Sequence, residues 1–468
     1  MKRFRLYSLL TAYLALLLAL LAVGCSLRED PPESLELSGN HSPGLLTMVT
    51  TDTSSDGFHY LEPAISRDGT RVIFTCDWAA LPPPGQAPDE IPVIRNMAMM
   101  NIPIPGTEPQ VRQRLADAGA QLVLIKNPCN VVLAPGTTWT LYPLTGEARS
   151  SKGTKGSPNW VDDTHVLFWM NTDRGDRLFT IDFDLAWNDR TPVLVYLEPG
   201  DLQQTGRYWQ HHDPAVSPDG QWVVFTRFGS SRTNPDSLGS YTDMELWCCS
   251  LSPTPPTPKA FPLTSGTNIM GAPDWSPDGR SIALHSTLRL IGSGTDYGTE
   301  LFTMDFDTTG LAANGGVTRN RGLRRVTYTT VPVGSPIPIT NEKPIWSADG
   351  GTLLFVSSRR APSITLRERS IWRVPADGSL EPSLGFFTRE DDIDPVFFPN
   401  SNNQIMLCSA VGFPTEMLDR IEAETRERLA EENPTWDMTQ IEQAAAGQRE
   451  ELEYFEGVMT HLFIYSGW

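Results

Sequence analysis

The chain has 468 residues, 40% hydrophobic and 20% charged, a balance that excludes both a disordered chain and a multi-span membrane protein. That length predicts two or three domains or a repeat architecture, and the 39 Pro, 37 Gly and 13 Trp favour short strands and turns over long helices. With 37 basic against 56 acidic side chains the formal charge is −19, which sets nucleic acid aside as a partner.

Residues 1–24 read as a targeting segment, outside the fold. Met1-Lys2-Arg3-Phe4-Arg5 is basic, and Leu6 to Val23 is apolar and uncharged. The run ends Leu21-Ala22-Val23-Gly24-Cys25, which resembles the lipobox of bacterial lipoproteins, with Ala22 where Leu is commonest. The resemblance implies cleavage before Cys25 and lipidation of its sulfur. The competing reading is a plain transmembrane anchor of about 18 residues, near the lower spanning limit. Ser26 rather than Asp after the Cys implies sorting to the outer membrane, facing the periplasm, in a Gram-negative host. Residues 25–44 then form a flexible linker.

The remaining cysteines, Cys76, Cys129, Cys248, Cys249 and Cys408, are odd in number and contain no CxxC, so neither a zinc ribbon nor a thioredoxin-type site is expected. Cys248 and Cys249 are neighbours in a predicted strand and face opposite sides, which keeps them from pairing with each other.

From residue 45 to the end, one pattern recurs. Its six copies begin at Pro63, Pro158, Pro214, Pro273, Pro344 and Pro395. The clearest are Pro214-Ala215-Val216-Ser217-Pro218-Asp219-Gly220 before Val223-Val224-Phe225, and Pro273-Asp274-Trp275-Ser276-Pro277-Asp278-Gly279 before Ile282-Ala283-Leu284. Each predicts a hairpin, because Pro presets one turn dihedral and Asp-Gly supplies the positive-φ position. A third strand follows each hairpin, as at Leu178-Phe179-Thr180-Ile181 and Leu301-Phe302-Thr303-Met304. A fourth ends in an aliphatic-Thr pair at Leu144-Thr145, Leu263-Thr264 and Val326-Thr327, with Phe387-Thr388 a variant and Val193 to Tyr196 filling the slot in the second copy. Trp160, Trp275 and Trp346 fall at equivalent positions and read as packing between units.

Four short antiparallel strands repeated six times predict an all-β fold, a six-bladed β-propeller. The last copy lacks a fourth strand, while Leu45-Leu46-Thr47 carries the same ending and precedes the first copy. The N-terminal strand is therefore expected to complete blade six and close the ring. These Pro-x-Trp-Ser-Pro-Asp-Gly hairpins resemble the WD40-like propeller repeats of the TolB family. The resemblance implies a periplasmic propeller that binds other envelope proteins. About 38 residues separate Cys25 from the first repeat, too few for the N-terminal α/β domain of that family, so the blade carries over and the specific partner does not.

Two insertions interrupt the pattern. The first blade carries extra sequence between residues 78 and 138, including Leu81-Pro82-Pro83-Pro84-Gly85 and a short helix near Val111 to Ala118. The larger one, residues 413–457, splits blade six. There Met417, Leu418, Ile421 and Leu429 give a helical period, Pro434 breaks it, and a second helix runs from about Met438 to Phe455. Between Glu416 and Glu456 stand 13 acidic and 4 basic residues. They read either as a solvated helical face or as an acidic docking arm for a basic partner.

The sequence has no HExxH, P-loop, Rossmann glycine fingerprint or Gly-x-Ser-x-Gly elbow, and no cofactor, catalytic residue or metal site is assigned. Asp52-x-Ser54-x-Asp56-Gly57 resembles the start of a calcium loop, but Glu62 falls one position short of its twelfth residue. The candidate binding residues are those entering the innermost strands: Glu62, His211, His212, Asp213, Asp274, Glu342 and Asp394. Ser157 and Ala272 occupy the same slot in their blades. Such a ring at one mouth of the channel suits a cation or a small polar ligand. The resulting expectation is a non-catalytic, lipid-anchored scaffold that binds envelope proteins. The alternatives are a polysaccharide lyase or glycosidase, or a ligand or cation sensor at the channel mouth.

Overall fold

The computed structural model describes residues 45–48, 60–76, 96–102, 121–122, 129–134, 137–141, 154–172, 175–185, 192–196, 198, 208–230, 244–251, 260–264, 270–287, 298–307, 319–329, 339–359, 369–386, 391–399, 401–412, 415–434, 436–451 and 458–466. The targeting segment, Cys25, the linker, the Asp52 loop, the Val111 to Ala118 segment, Leu144-Thr145 and Phe387-Thr388 lie outside them. No helix among the described residues is long and apolar enough to cross a membrane.

The described residues open with β1 (Leu45–Met48). Blade one follows as β2 (Tyr60–Ile65), β3 (Arg71–Cys76), β4 (Asn96–Asn101) and β5 (Gln121–Leu122). A separate hairpin pairs β6 (Cys129–Ala134) with β7 (Thr137–Leu141). Blade two is β8 (Lys155–Trp160), β9 (His165–Thr172), β10 (Gly175–Asp182) and β11 (Val193–Leu194). Blade three is β12 (Tyr208–Val216), β13 (Trp222–Ser230), β14 (Glu245–Ser250) and β15 (Ala260–Pro262). Blade four is β16 (Met270–Trp275), β17 (Ser281–Ser286), β18 (Glu300–Asp305) and β19 (Arg324–Arg325). Blade five is β20 (Asn341–Trp346), β21 (Thr352–Ser357), β22 (Ser370–Pro375) and β23 (Ser383–Phe386). Blade six is β24 (Asp392–Phe397), β25 (Gln404–Gly412) and β26 (Val458–Ser466), with β1 as its fourth strand.

The six sheets form a closed ring. Each innermost strand touches those of its two neighbours, in the order β2, β8, β12, β16, β20, β24 and back to β2. β1 pairs antiparallel with β26, Leu45 opposite Ser466 and Met48 opposite Phe463, so the strand left over at the N-terminus fills the gap in the last blade.

The turns explain why the motif repeats. In blade three the Ser217 hydroxyl donates to Asp219 Oδ1 and accepts the Trp222 N–H at 2.9 Å, while the Gly220 N–H donates to the Ser217 carbonyl. The same arrangement holds at Ser66, Ser276 and Ser347. Gly69, Gly220, Gly279 and Gly350 take φ of 69 to 73°, the left-handed region that the turn demands.

Packing occurs between blades. Six apolar clusters each join two neighbouring sheets, for example Ala215, Val224 and Cys248 of blade three against Ile282, Phe302 and Met304 of blade four. The second strand of each blade is covered on both faces, which accounts for apolar runs such as Val223-Val224-Phe225, all at 0% exposure. Indole N–H groups add staples: Trp160 Nε1 donates to the Ala64 carbonyl of blade one, and Trp275 Nε1 to the Ala215 carbonyl of blade three. The recurring threonine also has a task. Thr264 and Thr327 hydroxyls each accept a third-strand N–H, from Leu246 and Leu301, at 2.9 Å. Cys248 and Cys249 carry free buried thiols in different inter-blade clusters, the opposite facing that their adjacency predicts.

Blade one departs from expectation. Its fourth strand is Gln121–Leu122, paired with Ala98 and Met99, not a segment ending at Leu144-Thr145. The extra sequence after it supplies the β6–β7 hairpin.

The insertion in blade six forms two helices, α1 (Thr415–Glu432) and α2 (Met438–Glu451). Asp437 caps α2: its carboxylate accepts the Gln440 N–H at 2.9 Å, and Gln440 Oε1 accepts the Asp437 N–H at 3.0 Å.

Candidate functional site

Each innermost strand carries the same irregularity. The register slips between Leu61 and Ala64, Gly156 and Asn159, His212 and Ala215, Gly271 and Asp274, Glu342 and Ile345, and Ile393 and Val396. Within each slip the residue before Pro is left-handed: Glu62, Ser157, Asp213, Ala272, Lys343 and Asp394, with φ between 45 and 53°. Proline disfavours the right-handed helical region for its predecessor, and the left-handed one costs a non-glycine residue about 1–2 kcal/mol. Closure of the ring holds all six positions there, and they meet around the axis.

Across blades five, six, one and two the ring residues are bonded in series. Lys343 Nζ pairs with Asp394 Oδ1. Asp394 Oδ2 accepts the Glu62 N–H at 3.0 Å, and Glu62 Oε2 accepts the Ser157 N–H at 2.8 Å. The Ser157 hydroxyl donates to Glu62 Oε1 at 3.2 Å and accepts from Trp169 Nε1 at 3.3 Å. Burial pulls the Lys343 ammonium down, but the Asp394 and Glu62 charges outweigh it and hold its pKa above the usual lysine value. Burial likewise raises Asp394, yet the Lys343 charge prevails and keeps that carboxyl below its ordinary range. The Lys343 side chain retains 42% of its surface, so solvent in the channel still screens the pair, whereas Asp394 retains 6%.

Blades three and four differ. The Asp213 carboxylate receives a long hydrogen bond from the Thr226 hydroxyl, 3.5 Å. Its neighbour in the ring is Ala272, which has nothing to offer it. Behind Ala272, Gly271 leaves room for His285, whose Nε2 would lie 3.2 Å from a Cβ at that position. His285 Nδ1 accepts the Lys343 N–H at 3.4 Å, which places its proton on Nε2. Burial lowers this imidazole more than the Glu342 and Asp213 charges raise it, which holds its pKa below the ordinary histidine value.

His212 lies one residue before the ring. Its imidazole stacks on Trp169 with centroids 4.4 Å apart, and its Nε2 pairs with Asp176. Burial would lower His212, and the Asp176 hydrogen bond and charge reverse the sign, so its pKa is raised. Gly156 makes the stack possible, since a Cβ there would lie 2.3 Å from the Trp169 ring.

The other sequence candidates occupy different places. His211 points between blades two and three at 0% exposure and contacts Glu198 Oε1 at 2.9 Å. Glu198 also receives Arg227 Nε at 2.6 Å and Nη2 at 2.9 Å, with the guanidinium between Trp209 and Trp247. Burial drives His211 down to about 4. Asp274 lies one step deeper than the ring, accepts the Trp346 N–H at 2.7 Å and is pushed up to about 7 by burial. In blade five Lys343, not Glu342, takes the ring position, because the bulge centres on the residue before Pro344. Glu62, Asp213 and Asp394 stand in the ring as the repeat alignment places them. Lys343, His285, Asp176 and Trp169 were not read from the sequence. Only Lys343 carried a signal there, its place directly before the repeat proline. Among the described residues no group of three or more His, Cys, Asp or Glu is placed to hold a metal ion.

The described residues form a six-bladed β-propeller. No family profile and no curated protein matches it. Among solved structures it is similar to a putative TolB from Agrobacterium tumefaciens, at 19% identity over 62% of this chain and 73% of that one, TM-score 0.37. It is similar to TolB from Acinetobacter baumannii at 15% identity over 68% of this chain, spanning 56% of that chain, TM-score 0.36. An oligogalacturonate lyase in complex with manganese gives 11% identity over 92% of this chain and 98% of that one, TM-score 0.41. At these identities the likeness concerns the fold of the propeller.

Proposed function

We propose that this propeller is a non-catalytic binding module of the bacterial cell envelope, anchored through a lipid on Cys25 at the outer membrane and facing the periplasm. It receives a protein partner at the channel end where the innermost strands begin. The observation that carries this reading is the unequal ring: four blades satisfy one another in series, while blades three and four leave Asp213 beside Ala272. A carboxylate whose one hydrogen bond is long, and whose charge also acts on Lys343 and His212, suits a further positively charged group from a partner. The lipobox and the repeat's resemblance to TolB supply the envelope setting.

Pull-down from detergent-solubilised membranes tests the reading. An envelope protein is expected to co-purify with the wild-type chain and to be lost with Asp213→Arg. Co-purification indifferent to every ring substitution overturns it. The second reading, a polysaccharide-acting enzyme, draws on His212, which is oriented by Asp176 as a general base would be and is 26% exposed. It requires turnover that disappears in His212→Ala while the fold persists.

A further inference from the structure

We propose that the helical hairpin α1–α2 is a docking arm for a protein whose surface joins a basic patch to an apolar pocket. The inference rests on the binding-module reading and assigns it a second contact, on the helices.

The arm is built to stand out from the sheet. β24 stops pairing at Asp392 opposite Ser409, but β25 and β26 continue together through Ala410–Thr460, Val411–Met459 and Gly412–Val458. This two-stranded stalk leads into the helices, and each helix has the other as its main neighbour. Their shared seam is narrow, with Thr425, Ile441 and Ala445 at 5, 4 and 0% exposure.

The apex is ordered and apolar. The Asn433 N–H donates to the Leu429 carbonyl, the Trp436 N–H to the Asn433 carbonyl, and the Asp437–Gln440 box starts α2. Trp436 and Met438 flank that cap at 39 and 62% exposure. A capped turn that fixes a partly packed indole with 39% of its surface free pays little further entropy when that surface enters a pocket, the property of a binding anchor.

Charge narrows the occupant. From Thr415 to Glu451 the hairpin carries 11 acidic and 4 basic side chains, a net −7. An anionic membrane surface repels that field, and so does a second copy of a chain bearing −19. A basic protein surface is the complementary class, steered by the helices and fixed by the apex.

The experiment places a photo-crosslinking residue at position 436 of the full-length chain in cells, with position 380 as an exposed control, and follows with titration of the purified captured protein. The expected result is an adduct at 436, absent at 380, with a protein of basic surface. Its affinity for the detergent-solubilised chain should fall about tenfold or more in Trp436→Ala/Met438→Ala and weaken as salt is raised. Met438 is exposed and Trp436 partly so, and the variant's circular dichroism should match wild type with at most a small fall in melting temperature. The inference is overturned by no adduct at 436, an adduct with lipid or a second copy, an affinity the double variant does not change, or one insensitive to salt. If a probe at position 272 still captures a partner after residues 413–457 are replaced by a short turn, and that partner binds the shortened chain as tightly, the binding module stands and the arm falls.

Discussion

Blades five, six, one and two and blades three and four share one backbone geometry at the channel and use it differently. In the first group Lys343, Asp394, Glu62 and Ser157 satisfy one another in series, and the series spans the junction between blade six and blade one, where the ring closes. In the second group Asp213 and Ala272 hold the same left-handed conformation without that exchange. The fold fixes where six side chains meet. Their identities then decide whether a position serves closure or remains open to a ligand.

Substitutions can break this comparison. The largest effect is expected for Asp394→Ala, which leaves the Lys343 charge unpaired and frees the Glu62 N–H. A loss of about 3 kcal/mol in urea unfolding is expected, the lower end for a broken buried pair because Lys343 is partly solvated. Gly156→Ala should follow at about 1–3 kcal/mol, since the new methyl must displace the Trp169 ring. Tryptophan fluorescence should change with it, and an unaltered spectrum contradicts the placement of Trp169.

The adjacent histidines sharpen the comparison through pH. The folded pKa of His212 is raised, so its contribution is complete below about 6.5 and is lost as pH climbs through the raised value. The folded pKa of His211 is lowered to about 4, so its contribution is present above about 6.5 and is lost as pH falls toward 4. Each slope is bounded by about 1.4 kcal/mol per pH unit. Urea midpoints across this range should lose the high-pH decline in His212→Gln and keep the acid one. The smallest effect is expected for Asp213→Ala, less than about 1 kcal/mol, because Ala272 already tolerates the same backbone one blade away. A loss equal to that of Asp394→Ala would erase the distinction between the two groups.

Much of the architecture was legible because its causes are local. Ser-Pro-Asp-Gly specifies a hairpin wherever it occurs, and the aliphatic-Thr ending marks a fourth strand because its hydroxyl caps a third-strand N–H. Pro434 bounded the first helix in the same way. Blade one resisted such reading, since Gln121–Leu122 is two residues long and has no threonine of its own. At the channel the repeat alignment located Glu62, Asp213 and Asp394 but set blade five one residue early, at Glu342, and the His-His-Asp cluster drew in His211, which contacts Glu198 instead. His285 and Asp176 reach the channel from second and third strands, so no pattern local to the ring motif names them.

The repeated hairpins, the count of six units and the leftover strand at Leu45-Leu46-Thr47 were determined by the sequence alone, because turn chemistry and periodicity act over a few residues. Which ring carboxylates are spent on closure and which face the channel was decided by the tertiary structure. Those outcomes depend on hydrogen bonds between residues hundreds of positions apart, such as Asp394 to Glu62, that exist only after the ring has closed.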